Sequence, residues 1–428
     1  MACRDVRAVA GRRRARGAAG AVAIAAGTLA ACTGDGSGDP TPTAATTTTA
    51  PPAPTVDDGV LRIGVLVPDD STGVSTAVTT AAQRTVDDVN AAGGVLGRDV
   101  DLVFENEGTT PAATTTAIET LVAEGAPGGV DAIIGPLSST NAIGALDAAV
   151  SAKVVTCSPA ASAMALDDYP DDGLFFRTIP TDSLQAVAIA QQARETGATQ
   201  MAIVHVDDAY GRPYAEAVRD ALASDGSTVV DVIAVAAGDD ELGDDLAGVG
   251  EAQVVIVLGG GTDTARFLEA IAARGPSPAA VIVNDAARSP GNAPIVSSLP
   301  ADFRNRIVGV APQITVRPAG LDDLPVPFAP QIDDCVNLIA LSAVQGGSDA
   351  PTAIAAQMSP VSESGSVCRD FATCRAQLAD RLQINYQGLT GITDLARDGD
   401  PGRGRFDLYR FDADGADVYD ERTITVGP

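Results

Sequence analysis

The chain has no tryptophan, one histidine (His205) and one lysine (Lys153), and aromatic residues make up 4% of its 428 positions. A pocket built from it has few flat rings to lay against a sugar or a nucleobase, so stacking is not its main mode of recognition. His205 sits inside an apolar run with no nucleophile nearby and reads as a structural histidine. There is no Gly-x-Ser-x-Gly elbow, no histidine pair and no cysteine cluster at metal-binding spacing. The usual sequence support for catalysis is therefore missing, and the expectation is a non-enzyme that needs no cofactor and no metal. Gly259-Gly260-Gly261 lacks both the dinucleotide spacing and the Lys-Ser/Thr ending of a phosphate loop. Asp412-Ala413-Asp414-Gly415-Ala416-Asp417 lacks the closing glutamate of a calcium loop and reads as a hairpin turn.

Positive charge is equally scarce, with 28 Lys and Arg against 56 Asp and Glu and a net charge of -28. Six of the arginines fall within residues 1–31, so the remainder carries 22 positive and 55 negative side chains, a net charge of -33. A polyanionic partner such as nucleic acid is disfavoured, and the acidity serves solubility.

Those six arginines, Arg4, Arg7, Arg12, Arg13, Arg14 and Arg16, precede an apolar run from Ala18 to Ala31. A basic segment followed by a short apolar one is the pattern of an export signal, and the run is shorter than the roughly 20 residues that a spanning helix needs. It ends at Leu29-Ala30-Ala31-Cys32, which resembles a bacterial lipobox with Cys32 as the lipidated first mature residue. From there to Asp58 the chain is rich in Thr, Pro, Gly, Asp and Ala, a composition that buries no core and suits a flexible tether above a membrane. The expected location is the outer face of the bacterial cytoplasmic membrane, held by a lipid anchor.

Beyond the tether, strand and helix patterns alternate. Val60–Val67 is an apolar run closed by Pro68, followed by a helical pattern on Ala77, Ala81, Val86 and Val89 that stops at Asn90-Ala91-Ala92-Gly93-Gly94. Strands are expected at Asp99–Glu105, Val130–Ile134, Lys153–Thr156 and Leu174–Ile179, with helices near Pro111–Glu124 and Asn141–Ser151. A second series places strands at Met201–Val206, Thr228–Val235, Val254–Leu258, Ala280–Val283 and Arg306–Val310, with helices near Tyr214–Ala223, Leu242–Val249 and Thr264–Ala273. This is an α/β fold of two Rossmann-like lobes with parallel sheets, lobe 1 over 59–180 and lobe 2 over 181–311. Residues 312–428 are expected to return to lobe 1 through a second crossing at Ala311-Pro312-Gln313-Ile314. Helices follow at Ile332–Val344 and Phe371–Leu382, and short strands around Tyr386, Ile392, Phe406–Phe411 and Thr423–Val426 add to lobe 2 and the hinge.

Open α/β sheets bind ligands at the carboxyl ends of their strands. Two loops of small hydroxyl residues fall there: Gly135-Pro136-Leu137-Ser138-Ser139-Thr140-Asn141 and Cys157-Ser158-Pro159-Ala160-Ala161-Ser162. Either can present backbone N–H groups to an anion, and Ser139 or Asn141 can also act simply as a helix cap. After Pro180, Asp182 or Ser183 can cap the next helix. Besides Cys3 and Cys32, four cysteines remain, and in an exported chain they permit three connectivities. Cys368 and Cys374 flank a helix start and are paired, leaving Cys157 with Cys335; the alternative is that either pair stays reduced and packs.

Several segments together resemble the leucine/isoleucine/valine-binding family of type I periplasmic-binding-protein fold, which serves ABC importers. They are Asp88-Val89-Asn90-Ala91-Ala92-Gly93-Gly94-Val95, the two hydroxyl loops, Arg177-Thr178 with Asp182-Ser183-Leu184-Gln185, and Asp208-Ala209-Tyr210-Gly211. Ile384-Asn385-Tyr386-Gln387-Gly388-Leu389-Thr390-Gly391 resembles a lipoprotein branch of the same family. The resemblance implies a two-lobed binding protein with a multi-crossing hinge that closes on a small amino-acid-like solute or amide and delivers it to a membrane permease. It implies that Ser139, Ala160 and Ser162 hold the ligand carboxylate, that Asp285 takes the ammonium, and that Asp182 and Tyr210 lie in the cleft. Where the family often has an aromatic residue after the strand ending at Leu258, this chain has Gly260-Gly261-Thr262, a smaller and more open wall. The same fold also implies an alternative, a ligand-sensing lipoprotein of a signalling system.

Overall fold

A computed structural model describes residues 57–69, 73–123, 129–224, 226–238, 242, 245–274, 278–313, 328–391 and 393–427. The export signal, Cys32, the tether as far as residue 56, Ile314 and Ile392 lie outside the described residues.

The first sheet takes its strands from an apolar series. β1 (Arg62–Val67) buries its four central residues, as expected for a strand covered on both faces. Helix α1 (Val74–Ala91) follows and buries one face through Ala77, Val78, Ala81, Ala82, Val86 and Val89. It ends where Gly94 adopts a φ of +62°; a Cβ there would meet the Arg98 carbonyl oxygen at 1.9 Å, so only glycine fits. Then come β2 (Asp101–Asn106), α2 (Pro111–Ala123), β3 (Ala132–Ile134), α3 (Ser139–Ala152), β4 (Val155–Ser158) and β5 (Phe175–Arg177). The five strands pair in parallel in the order β2-β1-β3-β4-β5.

The second series comprises α4 (Asp182–Glu195), β6 (Gln200–Val206), α5 (Gly211–Ala223), β7 (Thr228–Val235), β8 (Val254–Leu258), α6 (Asp263–Arg274) and β9 (Ala280–Val283). Short helices α7 (Ala293–Ser298) and α8 (Ala301–Arg304) lead to β10 (Ile307–Pro312). The chain then returns to the first sheet with α9 (Ala329–Gly346), α10 (Pro351–Met358), α11 (Pro360–Glu363), β11 (Ser366–Cys368), α12 (Phe371–Ala379) and β12 (Ile384–Tyr386). Every residue of α9 from Ala329 to Ala343 is buried, which makes it the spine of the first core. Finally β13 (Gly404–Phe411) and β14 (Asp417–Val426) form an antiparallel hairpin on β10, completing a sheet in the order β14-β13-β10-β9-β8-β6-β7. The hairpin turns at Asp412–Ala416, where the Asp412 carboxylate accepts the N–H groups of Asp414 and Ala416.

Four local expectations are corrected. The strand expected over Lys153–Thr156 lies two residues later, because Lys153 is the left-handed cap of α3 at φ +59°. Ser138, not Ser139 or Asn141, caps α3 by accepting the Asn141 N–H. Thr181, not Asp182 or Ser183, caps α4 by accepting the Leu184 N–H, which leaves the Asp182 carboxylate free of that task. The helix expected over Leu242–Val249 is a 3-10 stretch over Asp245–Glu251, kinked at Leu246, in a segment whose two glycines disfavour α-helix. His205 is 5% exposed and its Nδ1 lies 2.8 Å from the Val206 carbonyl oxygen.

Cys157 of β4 is joined to Cys335 of α9, and Cys368 to Cys374, with Cα separations of 5.8 and 5.3 Å. All four sulfurs lie in the core around the first sheet, so neither bridge ties one sheet to the other or restrains a hinge. Peptide mapping of the exported protein without reduction is expected to recover these two cross-linked pairs; four free thiols would contradict the pairing.

Candidate ligand-binding cleft

Between the carboxyl edges of the two parallel sheets lies a cleft of about 670 Å³, lined from both sides and by Ile179, Ala311 and Pro312 where the chain crosses. A second hollow of about 740 Å³, between Val344, Arg375 and Leu382, draws all its walls from the first lobe and contains no end of a parallel-sheet strand. The inter-sheet cleft is the one placed where α/β folds bind ligands.

Its first wall is the start of α3. Glu107, only 2% exposed, accepts the N–H groups of Leu137 (2.9 Å) and Ser138 (3.1 Å) and the side-chain amide of Asn141 (3.0 Å). Burial raises the Glu107 carboxyl above its ordinary range, and these three donors work against that. An internal carboxylate thus occupies the N–H of the cap residue Ser138 and that of Leu137 just before it. The next two, the N–H groups of Ser139 and Thr140, have no partner among the described residues, and both residues line the cleft. The Ser139 hydroxyl accepts the Ala163 N–H at 3.2 Å and so ties this loop to the next.

The second loop leaves β4 at Ser158, whose hydroxyl donates to the Pro136 carbonyl (2.7 Å) and accepts from Ala161 (2.9 Å) and, at a long 3.4 Å, from Ala160. The Ala160 N–H is therefore weakly engaged within the protein. Arg177 fixes the rest of the loop from behind. Fully buried, it donates to the carbonyls of Ala161 (3.4 Å) and Ala163 (3.1 Å), to Asp167 (2.7 Å), and through Nε to Asp400 (2.6 Å), with Nη2 on the other Asp400 oxygen.

The opposite wall is acidic. Asp285 opens a 3-10 turn after β9 and accepts the Gln185 amide at 3.1 Å. Gln185 is itself locked, donating to the Val310 carbonyl (2.9 Å) and accepting the Tyr214 hydroxyl (2.6 Å). Burial raises the Asp285 carboxyl, with Gln185 opposing the shift. Tyr210 precedes α5 and receives the Asn284 amide at 3.0 Å. Asp182 is 1% exposed, and neither of its oxygens completes a hydrogen bond to the protein. Burial, then the charge of Asp285, push it up to about 8, although the Ser162 hydroxyl and Arg177 favour ionisation. Arg288, the cation in this wall, is paired with Asp417 at 2.7 Å.

Ser139, Ala160, Ser162, Tyr210 and Asp285 thus line one cleft, while Asp182 lies behind its surface. Sequence reasoning missed Glu107, the supporting network of Arg177, and Gln331. The last lines the cleft at 3% exposure with its side-chain amide oxygen, Oε1, unpaired. A lone acid after a strand and a glutamine early in an apolar helix carry no pattern; only Arg177, next to Thr178 in a quoted motif, offered a signal.

Comparison with known proteins bears on the family and the fold. A chemotactic signal transduction system substrate-binding protein of Halobacterium salinarum is 27% identical over 362 residues, covering 80% of this chain and 85% of that protein. The Leu/Ile/Val-binding protein BraC3 of Rhizobium johnstonii is 31% identical over 165 residues, 38% of this chain and 43% of that protein. Among solved structures, the branched-chain amino acid transporter substrate-binding protein LivJ of Streptococcus pneumoniae, in complex with isoleucine, superposes with a TM-score of 0.67 at 19% identity. It is matched over 86% of this chain and 100% of its own. A solute-binding protein of R. palustris in complex with benzoate gives 0.66 at 18% identity, over 86% and 98%. At these identities the structural matches speak for the fold, type I periplasmic binding. The family model described as periplasmic binding protein matches residues 60–312, more than half the chain, and with the two lobes and the cleft between them it follows that this chain belongs to the periplasmic binding protein family.

Proposed function

We propose that the protein is an extracytoplasmic solute-binding lipoprotein of an ABC importer, closing its lobes on a small amino-acid-like solute and delivering it to a permease. The observation that carries this reading is the polarity of one cleft. Donors of Ser139, Ala160 and Ser162 stand on the first lobe, and the carboxylate of Asp285, with Asp182 behind it, stands on the other side. A zwitterion spans such a cleft, its carboxylate at the helix start and its ammonium at the acids. Relatives whose names specify Leu/Ile/Val binding support an amino acid, while the benzoate complex of a similarly folded protein leaves room for other small carboxylates.

Calorimetry with the twenty proteinogenic amino acids, their amides and benzoate tests the reading. At least one amino acid is expected to bind; none binding would overturn it. Asp285→Asn is expected to weaken an amino acid by about 10- to 100-fold, since a hydrogen bond to a charged group contributes about 1.5–3 kcal/mol. A neutral amide should barely respond. Unchanged amino-acid affinity would remove Asp285 as the ammonium partner.

The anchor belongs to the same proposal. Cys32→Ala is expected to leave the protein unprocessed or released into the medium with its body intact, measured by fractionation and intact mass. Normal processing and full membrane retention would rule out the lipobox. A second reading, ligand sensing, is favoured by the chemotactic substrate-binding relative that matches most of this chain. Loss of solute uptake on deletion supports import; loss of a ligand-dependent behavioural or transcriptional response with uptake intact supports sensing.

A further inference from the structure

Asp182 is an acid without an internal purpose. It does not cap α4, which Thr181 does, and it makes no ion pair. Both of its oxygens are buried and neither completes a hydrogen bond, although the Ser162 hydroxyl stands close enough to favour the charged form. Asp285 lies near enough on the cleft side to act on it by its charge, and among the described residues no cation touches either carboxyl. Two carboxyls close together, Asp285 on the cleft and Asp182 just behind it, cannot both stay charged without a counter-ion.

We infer that Asp182 holds a proton while the cleft is empty and releases it when a primary ammonium group settles against Asp285 and Asp182, so that the site exchanges a proton for a cation. This rests on the amino-acid reading above and deepens it by making the ligand's amine, rather than its side chain, the selected feature. The balance is simple. The carboxyl O–H of Asp182 ionises, its proton passes to solvent, and the ammonium keeps its three N–H bonds.

The groups facing Asp182 all fit. Asp285, beyond β9, and Asp167, before β5, disfavour its ionisation; Arg177 of β5 favours it but is committed to Asp400 and Asp167. Tyr210 and Tyr214, at the start of α5, are themselves held neutral by burial. With the carboxyl pushed up to about 8 by burial and Asp285, ionising it at pH 7 costs a factor of about ten. A second charge-assisted contact to the ammonium offsets that factor. A neutral amide offers no such return, so amides bind without proton release.

The test uses the wild-type protein and the tightest binder among the twenty amino acids. Calorimetry at pH 7 in phosphate and in Tris, which differ in ionisation enthalpy, is expected to show release of about 0.9 proton per ligand, and affinity should rise about tenfold from pH 6 to 7 and about fivefold from pH 7 to 8. Asp182→Asn is expected to abolish both the release and the slope. Binding without proton release overturns the inference and leaves the amino-acid reading standing. Release that persists in Asp182→Asn assigns the proton elsewhere and overturns it too. If none of the twenty binds, the amino-acid reading fails and the inference falls with it.

Discussion

Replacing Arg177 by alanine is expected to destabilise the protein by about 3–5 kcal/mol, the range for removing one partner of a buried ion pair. The side chain is fully buried and answers five acceptors: both oxygens of Asp400, one of Asp167, and the carbonyls of Ala161 and Ala163. Alanine leaves two carboxylates short of their cation, and one of them, Asp400, is only 8% exposed. Water entering the vacated volume recovers part of this loss, which is why the upper figure is a ceiling. Arg177→Lys keeps the charge but not the fork, so it should fall between wild type and alanine. Ligand affinity should drop with stability, because the two carbonyls shape the loop that carries Ala160 and Ser162. Denaturant midpoints and calorimetry on the three proteins decide it. A loss under about 1 kcal/mol for alanine would mean that Asp400 and Asp167 reach solvent or other donors.

This arginine also marks where sequence reading stops. Apolar runs identify themselves, because a strand buried on both faces must be apolar throughout; Val254–Leu258 and Ala280–Val283 stand as strands over the expected residues. The hydroxyl loops are visible for a similar reason, since few residue types allow close approach to backbone donors. A buried polar network leaves no such trace. Arg177 is one of 28 basic residues and Asp400, 223 positions later, one of 56 acids, and only the fold brings them together. Glu107 is equally silent: nothing in sequence shows that a carboxylate will sit beneath the neighbouring loop and take two of its N–H groups. Boundaries fail where a local cap competes with periodicity. Lys153 continues the apolar register of β4 on paper, yet its left-handed backbone closes α3 instead. The choice of cap, expected at Asp182 or Ser183 and found at Thr181, is not made by residue type, since all three are good caps. It matters, because the outcome leaves Asp182 available to the cleft.

The largest environmental effect concerns pH: stability is expected to be highest in mildly acidic solution and to fall by about 2–4 kcal/mol from pH 5 to pH 8. Four buried aspartates carry the argument. Burial, assisted by the charge of Asp349, raises Asp131 to about 7; burial and Asp285 raise Asp182 to about 8; burial and Asp333 raise Asp334 to about 6; burial raises Asp400 to about 6 in spite of Arg177. Each lies above the ordinary value of 3.8, so in this window the folded chain binds more protons than the unfolded one. Stability then falls as pH rises, fully present near pH 4 and lost through pH 6 to 8. At about 1.4 kcal/mol per unit the full shifts would exceed the whole stability of a typical domain, so local rearrangement and hydration must absorb most of them. Below pH 4 the sign reverses at Asp420, where a burial cost is outweighed by Arg422 and Arg410 and the carboxyl lies below its ordinary range. That contribution disappears on further acidification. Asp182→Asn cannot ionise, so it should flatten the profile between about pH 7 and 8 while leaving in place the fall up to pH 7 carried by Asp131, Asp334 and Asp400. Thermal and denaturant midpoints from pH 4 to 8 at constant ionic strength provide the measurement. A wild-type profile that is flat or rises from pH 5 to 8 would mean that these four carboxyls are solvated in the folded protein, and with them the acid side of the cleft.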